Sequence, residues 1–199
     1  MNILEQIIET KHAEVLRLRD KVPVPELEKR KLFKRQPLSM TASLLSEDKT
    51  GIIAEFKRKS PSRGVINDKD TVEEVTTGYF RSGASALSVL TDHDYFGGSA
   101  HDLVRARELN PIPLLRKDFV IDEYQLVEAR SLGADAILLI AAVLTPARTQ
   151  ELARTAHNLG LQVLLEVHSA EELGHLCEFV DMAGVNNRDL KTFQVDTEL

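Results

Sequence analysis

The sequence of 199 residues contains one cysteine, Cys177. No intrachain disulfide can form, and nothing suggests an oxidising compartment. A lone cysteine is expected to serve as a small buried hydrophobe rather than a nucleophile. No apolar run approaches the roughly 18 residues needed to cross a bilayer. The opening MNILEQIIETKHAEVLRLRD carries charges where a signal peptide would have an apolar core. A cytoplasmic protein with no membrane partner is expected. Positive charge is also in deficit: 25 Lys+Arg stand against 31 Asp+Glu, a net −6. That is a poor footprint for nucleic acid, and the densest basic stretch, Lys57 to Arg63, adjoins only Phe56 as a stacking surface. Signature loops are missing too. No Gly-x-Gly-x-x-Gly follows a strand, and there is neither a P-loop nor a Gly-x-Ser-x-Gly elbow. The histidines, His12, His93, His101, His157, His168 and His175, show no paired metal-ligand spacing and are read as non-ligands.

What is present is ample core material, 43% of residues being hydrophobic, and a rhythm. Residues 2 to about 20 place Ile3, Leu4, Ile7, Ile8, Val15 and Leu16 at roughly helical spacing. The prolines of VPVPELEKR end that helix, and a second mixed segment leads to Lys49. From residue 51, short apolar runs recur at 51–56, 85–91, 112–119, 135–141, 161–167 and 180–187. They are nearly continuous rather than alternating, as strands buried on both faces are. Between them lie helical patterns: DTVEEVTTGYFRSG, AHDLVRARELN, DEYQLVEARSLG, TPARTQELARTAHNLG and SAEELGHLCEF. Gly83, Gly133 and Gly160 fit helix C-caps.

Alternating strands and helices imply an α/β fold with a parallel sheet. Polar residues gather at the C-terminal end of nearly every strand: Glu55/Lys57, Thr91/Asp92, Lys117/Asp118, Glu166 and Asn186/Asn187/Arg188. A doubly wound sheet has one crevice, whereas in a (β/α)8 barrel all strand ends converge on one face. The barrel is therefore the expectation, with residues 1–50 as an N-terminal helical extension and 51–199 as a partial barrel. Six strands are counted where closure needs eight. The barrel is thus expected to be incomplete here, with strands 7 and 8 and the phosphate-site residues lying beyond residue 199.

Alternation puts Glu55 and Lys57 on one strand face, from which they could meet Lys117 and Glu166 at a barrel mouth. Two lysines and two glutamates in a confined site suit general acid–base work. Blander readings stand beside this one. Lys117 could snorkel or pair with Asp118, Glu166 could be paired structurally, and Phe96 and Phe119 could be packing.

The motifs IAEFKRKSPSRG, LSVLTDHDYFGGS, LLRKDFVIDEYQ, LLEVH and GVNNRDL occur in order across residues 51–190, each at a different strand end. Together they resemble the indole-3-glycerol phosphate synthases. The resemblance implies a barrel with extra N-terminal helices and a step of tryptophan biosynthesis. In that step 1-(2-carboxyphenylamino)-1-deoxyribulose 5-phosphate closes to the indole with loss of carbon dioxide and water. No metal or organic cofactor is implied, and the partners implied are a small phosphorylated substrate and other tryptophan-pathway enzymes or a fused domain.

By resemblance, Lys117 matches the general acid of ring closure and Glu166 the acid/base of dehydration. Lys57 matches the lysine contacting the substrate carboxylate, and the motifs leave open which lysine serves which step. Glu55 and Asn186 match orienting residues, and Ser60 an anchoring position at the start of a loop that folds over the site. Phe96, Phe119 and Leu138 match the apolar ring pocket, and Arg188 and Leu190 its rim. Arg58, Lys59 and Arg63 are expected to be solvated or to stabilise that loop, with a possible part in attracting a doubly anionic substrate. Two alternatives remain: a catalytically incompetent fragment needing its C-terminal segment, and another phosphate-binding barrel such as a phosphoribosyl isomerase.

Overall fold

The computed structural model describes residues 2–187. Arg188 and Leu190 lie outside the described residues. The chain opens with helix α1 (Ile3–Lys21), whose N-terminus is closed by a capping box between Asn2 and Glu5. Short helices α2 (Val24–Glu28) and α3 (Met40–Leu44) follow, with a single 3-10 turn between them. Then strands and helices alternate: β1 (Ile53–Phe56), a small antiparallel hairpin of β2 (Lys59–Ser60) and β3 (Gly64–Val65), α4 (Val72–Arg81), β4 (Ala86–Leu90) and α5 (Ala100–Leu109). After these come β5 (Leu114–Lys117), α6 (Glu123–Leu132), β6 (Ala136–Ile140), α7 (Pro146–Asn158), β7 (Gln162–Val167) and β8 (Met182–Val185).

The large sheet is wholly parallel, in the order β1-β4-β5-β6-β7-β8. Each new strand joins beside its predecessor and the order never reverses. A doubly wound sheet requires a reversal; a barrel requires its absence. Six parallel strands thus form a curled part-barrel of the (β/α)8 type, and each lies within an apolar run expected from the sequence.

The sheet separates two cores. Val89, Leu87, Leu114, Ile137, Leu139 and Val163 face outward onto the helices, with Leu103, Leu126 and Leu152 as helix partners. Alternation sends the next residues inward, where Ala86, Leu115, Ala136, Leu138 and Ile140 meet Ile7 of α1 and Met40 of α3. The N-terminal helices therefore cover part of the inner face. Gly133 caps α6 in the left-handed conformation at φ 88°, as a residue without Cβ can at no cost.

Three expectations change. The segment 169–179 forms only a 3-10 helix over Glu171–His175. Its one well-buried member, His175, is anchored by its ring to Thr149 at 2.9 Å. Strands β7 and β8 alternate in burial rather than being covered on both faces: Gln162 meets the Met40 and Thr41 amides of α3, while Leu164 and Met182 are only partly covered by the inner core. On α1, Leu16 is exposed, and the buried stripe is Ile7, Lys11 and Val15. Cys177 is half-buried and packs against the outer core.

Candidate active site

Register decides which side chains meet. Glu55 stands opposite Ser88, Leu90 opposite Lys117, Ile140 opposite Glu166, and Glu166 opposite Gly184. All belong to the inward-facing set, so the strand ends converge on a cavity of about 610 Å³. Every candidate among the described residues lines it: Glu55, Lys57, Ser60, Phe96, Lys117, Phe119, Leu138, Glu166 and Asn186.

Two ion pairs dominate its floor and wall. Lys117 donates to Glu166 Oε2 at 3.0 Å, and Asn186 Nδ2 donates to the other oxygen at 3.0 Å. Burial opposes ionisation of Glu166. The Lys117 charge and the hydrogen bonds from Asn186 and Lys117 outweigh it, and the carboxyl is held below its ordinary range. Across the cavity Lys57 donates to Glu55 Oε1 at 2.7 Å, and the Ser88 hydroxyl approaches Glu55 Oε2 at 3.4 Å. The expected meeting of the four charges takes this form: two pairs on one cavity, with each lysine bonded within its own pair.

The apolar side is built by Phe96, in the β4–α5 loop, and Phe119, just after β5, with ring centroids 6.0 Å apart and planes tilted by 39°. Leu138, fully buried on β6, lies behind them. The β2–β3 hairpin closes one side. Its Lys59 amide donates to the Phe96 carbonyl at 3.2 Å and Lys59 Nζ to the Asp94 carbonyl at 2.6 Å. Arg58 pairs with Asp102 at 3.2 Å and stacks over Phe56. The Ser60 hydroxyl accepts from the Arg63 amide at 3.2 Å.

Asp118 is not the partner of Lys117. Its Oδ1 accepts from Lys11 at 2.9 Å and its Oδ2 from Arg116 at 3.1 Å. Burial works against its charge. The Lys11 and Arg116 charges and a Thr91 hydrogen bond prevail and lower its pKa. Sequence reasoning missed Lys11 because it occupies a helical position where the pattern calls for an apolar side chain. It also passed over His168, whose ring lies 3.5 Å from Glu166 and 3.4 Å from Glu172. Its one sequence signal was the two-residue spacing from Glu166 that puts both on one face.

An open cavity lined by two lysine–glutamate pairs and an aromatic cleft suits ring chemistry on a small polar molecule. Comparison with known proteins narrows this. A family model described as indole-3-glycerol phosphate synthase matches residues 4–199. An indole-3-glycerol phosphate synthase of Bacteroides thetaiotaomicron is 50% identical over 197 residues, covering 99% of this chain and 75% of that protein. One of Carboxydothermus hydrogenoformans is 41% identical over 203 residues, covering 98% of this chain and 77% of that protein. Among solved structures, a carboxyl transferase domain of Rhizobium etli pyruvate carboxylase superposes with a TM-score of 0.51. It shares 14% identity over 69% of this chain and 28% of that chain, a likeness of fold alone. With the family match running from α1 through every strand of the sheet, the chain belongs to the indole-3-glycerol phosphate synthase family.

Proposed function

We propose that the cavity converts 1-(2-carboxyphenylamino)-1-deoxyribulose 5-phosphate to indole-3-glycerol phosphate, acting as a carbon–carbon lyase. The observation that carries this reading is the Asn186–Glu166–Lys117 hydrogen-bond chain facing the Phe96–Phe119 cleft. The aromatic ring of the substrate enters the cleft against Leu138. Lys57, with Glu55 holding it, meets the ring carboxylate; Ser60 anchors the same end. Lys117 delivers a proton to the carbonyl oxygen as the ring carbon bonds to the carbonyl carbon. Carbon dioxide then departs from the ring carbon, which restores the ring's electron pair. Glu166 takes and returns the protons that let the hydroxyl leave as water. Asn186 keeps one Glu166 oxygen fixed while the other exchanges partners.

The physical logic supports this assignment. Ring closure onto a carbonyl needs a positioned proton donor, worth about 10²–10⁴-fold in rate. Decarboxylation is favoured when the carboxylate leaves water for a partly apolar cleft. The substrate class is a small phosphorylated molecule, and a cytoplasmic location accords with it. No described helix is long and apolar enough to cross a membrane.

The test is indole formation, followed by its fluorescence, by the chain alone and mixed with the quarter of the Bacteroides relative that it does not match. Turnover in either arm that disappears in Glu166→Gln supports the reading. Turnover that survives Glu166→Gln, or none in both arms, overturns it for this chain.

A further inference from the structure

Lys11 sits in the middle of α1, far from the cavity in sequence, and only 1% of its side chain meets solvent. Its ammonium contacts three carboxylates: Glu14 at 2.8 Å, Asp118 at 2.9 Å and Asp92 at 3.1 Å. The last two share a feature. Asp92 uses its other oxygen to accept the amides of Tyr95 at 2.9 Å and Phe96 at 3.2 Å. Asp118 Oδ1, the oxygen facing Lys11, also accepts the Phe119 amide at 2.8 Å. Each aromatic wall of the cleft therefore hangs by its backbone from a buried carboxylate, and one ammonium bridges the two. The residue before Lys11 makes a second tie, its Thr10 hydroxyl meeting the Tyr95 hydroxyl at 2.9 Å. Arg116 and Thr91 occupy the remaining oxygen of Asp118.

We propose that Lys11 is a positioning residue for the reaction, fixing the Phe96 and Phe119 walls through Asp92 and Asp118. Replacing a whole buried ionic group by apolar side chains is often neutral or favourable, but a Leu or Met at position 11 alone would strand the carboxylates of Asp92 and Asp118, which are only 3% and 0% exposed. What the apolar replacement cannot do is hold two carboxylates close together. Without the ammonium they repel, and the loop and the strand end that carry the rings separate. The proposal rests on the reading that these rings receive the aromatic part of the substrate.

The experiment compares the full chain with Lys11→Met and with the pair Lys11→Met/Asp92→Asn, in which Asn still offers an oxygen to the Tyr95 and Phe96 amides. Amide hydrogen exchange is measured first, since it does not require turnover. Exchange at Tyr95, Phe96 and Phe119 is expected to rise about ten-fold or more in Lys11→Met, as local opening would raise it, with Leu139 and Leu165 unchanged. Indole formation should lose about a hundred-fold in kcat/KM, the scale of an ångström-level misplacement. The double variant, relieved of repulsion, should recover part of both. Unchanged exchange at the three amides overturns the proposal, as does exchange that rises equally throughout the sheet, or a double variant no better than the single. Should the unaltered chain show no turnover, the synthase reading fails while the exchange pattern still decides the role of Lys11.

Discussion

Lys117→Met tests the heart of the site. The ammonium is 3.0 Å from Glu166, and the two side chains are 27% and 13% exposed. At an effective dielectric near 20, charges this close attract by roughly 5 kcal/mol. Desolvation takes back much of that, and removing one partner of a fully buried pair costs about 3–5 kcal/mol. A lysine with a quarter of its side chain in water is screened, so about 2 kcal/mol is the expected loss at pH 7. The sign with pH follows from Glu166, whose carboxyl is held below its ordinary value. Such a group contributes stability above its unfolded pKa and loses it as pH falls through the folded value. In Lys117→Met the burial of Glu166 is opposed only by its remaining partners, so its pKa moves up and protonation relieves the variant. The penalty should be largest near neutrality and close below about pH 4. Urea unfolding at neutral and acidic pH measures it. In parallel, kcat should fall about 10²–10⁴-fold, as for loss of a general acid. A penalty that does not shrink on acidification refutes the electrostatic account, and a kcat within a few-fold of the parent refutes the role of Lys117.

Two further substitutions test the frame around the site. A Cβ on Gly98 would run into the Leu90 carbonyl and sit 2.9 Å from the carbonyl oxygen of Asp92. Because the obstacle is backbone, Gly98→Ala should cost about 1–3 kcal/mol or more and displace the Phe96 loop, read as a lower unfolding midpoint with a raised KM. Asp135, wholly buried, accepts from Arg107 at 2.9 Å, the Leu114 amide at 2.8 Å and the Leu38 amide at 2.7 Å, and also pairs with Arg35. Asp135→Asn removes the charge these donors share and should cost about 3–5 kcal/mol. It lies just before β6, at the end of the sheet away from the cavity, so KM should stay unchanged in whatever fraction folds.

The barrel was legible because parallel strands buried between two layers need uninterrupted apolar runs, and each of the six runs contains a strand of the sheet. The paired placement of Glu55 with Lys57 and of Lys117 with Glu166 was legible in part. Strand parity fixes which side chains point inward, but sequence carries no register, and the preference of Lys117 for Glu166 over adjacent Asp118 is a matter of register and direction. Lys11 was illegible. A charged residue at a helical apolar position reads as an interruption until the carboxylates of Asp92 and Asp118, more than eighty residues away in sequence, are seen around it. The 169–179 segment misled for the opposite reason: its sequence reads as an apolar-periodic helix, yet in its 3-10 turn the one buried side chain is polar, His175, bonded to Thr149 of α7.

The charge arrangement also bears on how a phosphorylated substrate arrives. The cavity faces outward from a chain of net charge −6, and its lysines are already neutralised, Lys117 by Glu166 and Lys57 by Glu55. Arg58 is engaged by Asp102. Paired charges form short dipoles whose fields fade quickly with distance, so long-range attraction of an anion falls to charges not so matched. Arg63, exposed at the turn between β2 and β3 and lining the cavity mouth, is well placed for it. Arg63→Ala should therefore lower kcat/KM about three- to ten-fold at low ionic strength, where screening extends over about 30 Å at 0.01 M. The deficit should narrow as salt shortens that length to about 8 Å at 0.15 M. The measurement is kcat/KM against salt for both proteins, with kcat alone expected to be level between them. A deficit that persists undiminished at high salt would mean that Arg63 touches the substrate rather than steers it, and would refute this division of labour between paired and unpaired charge.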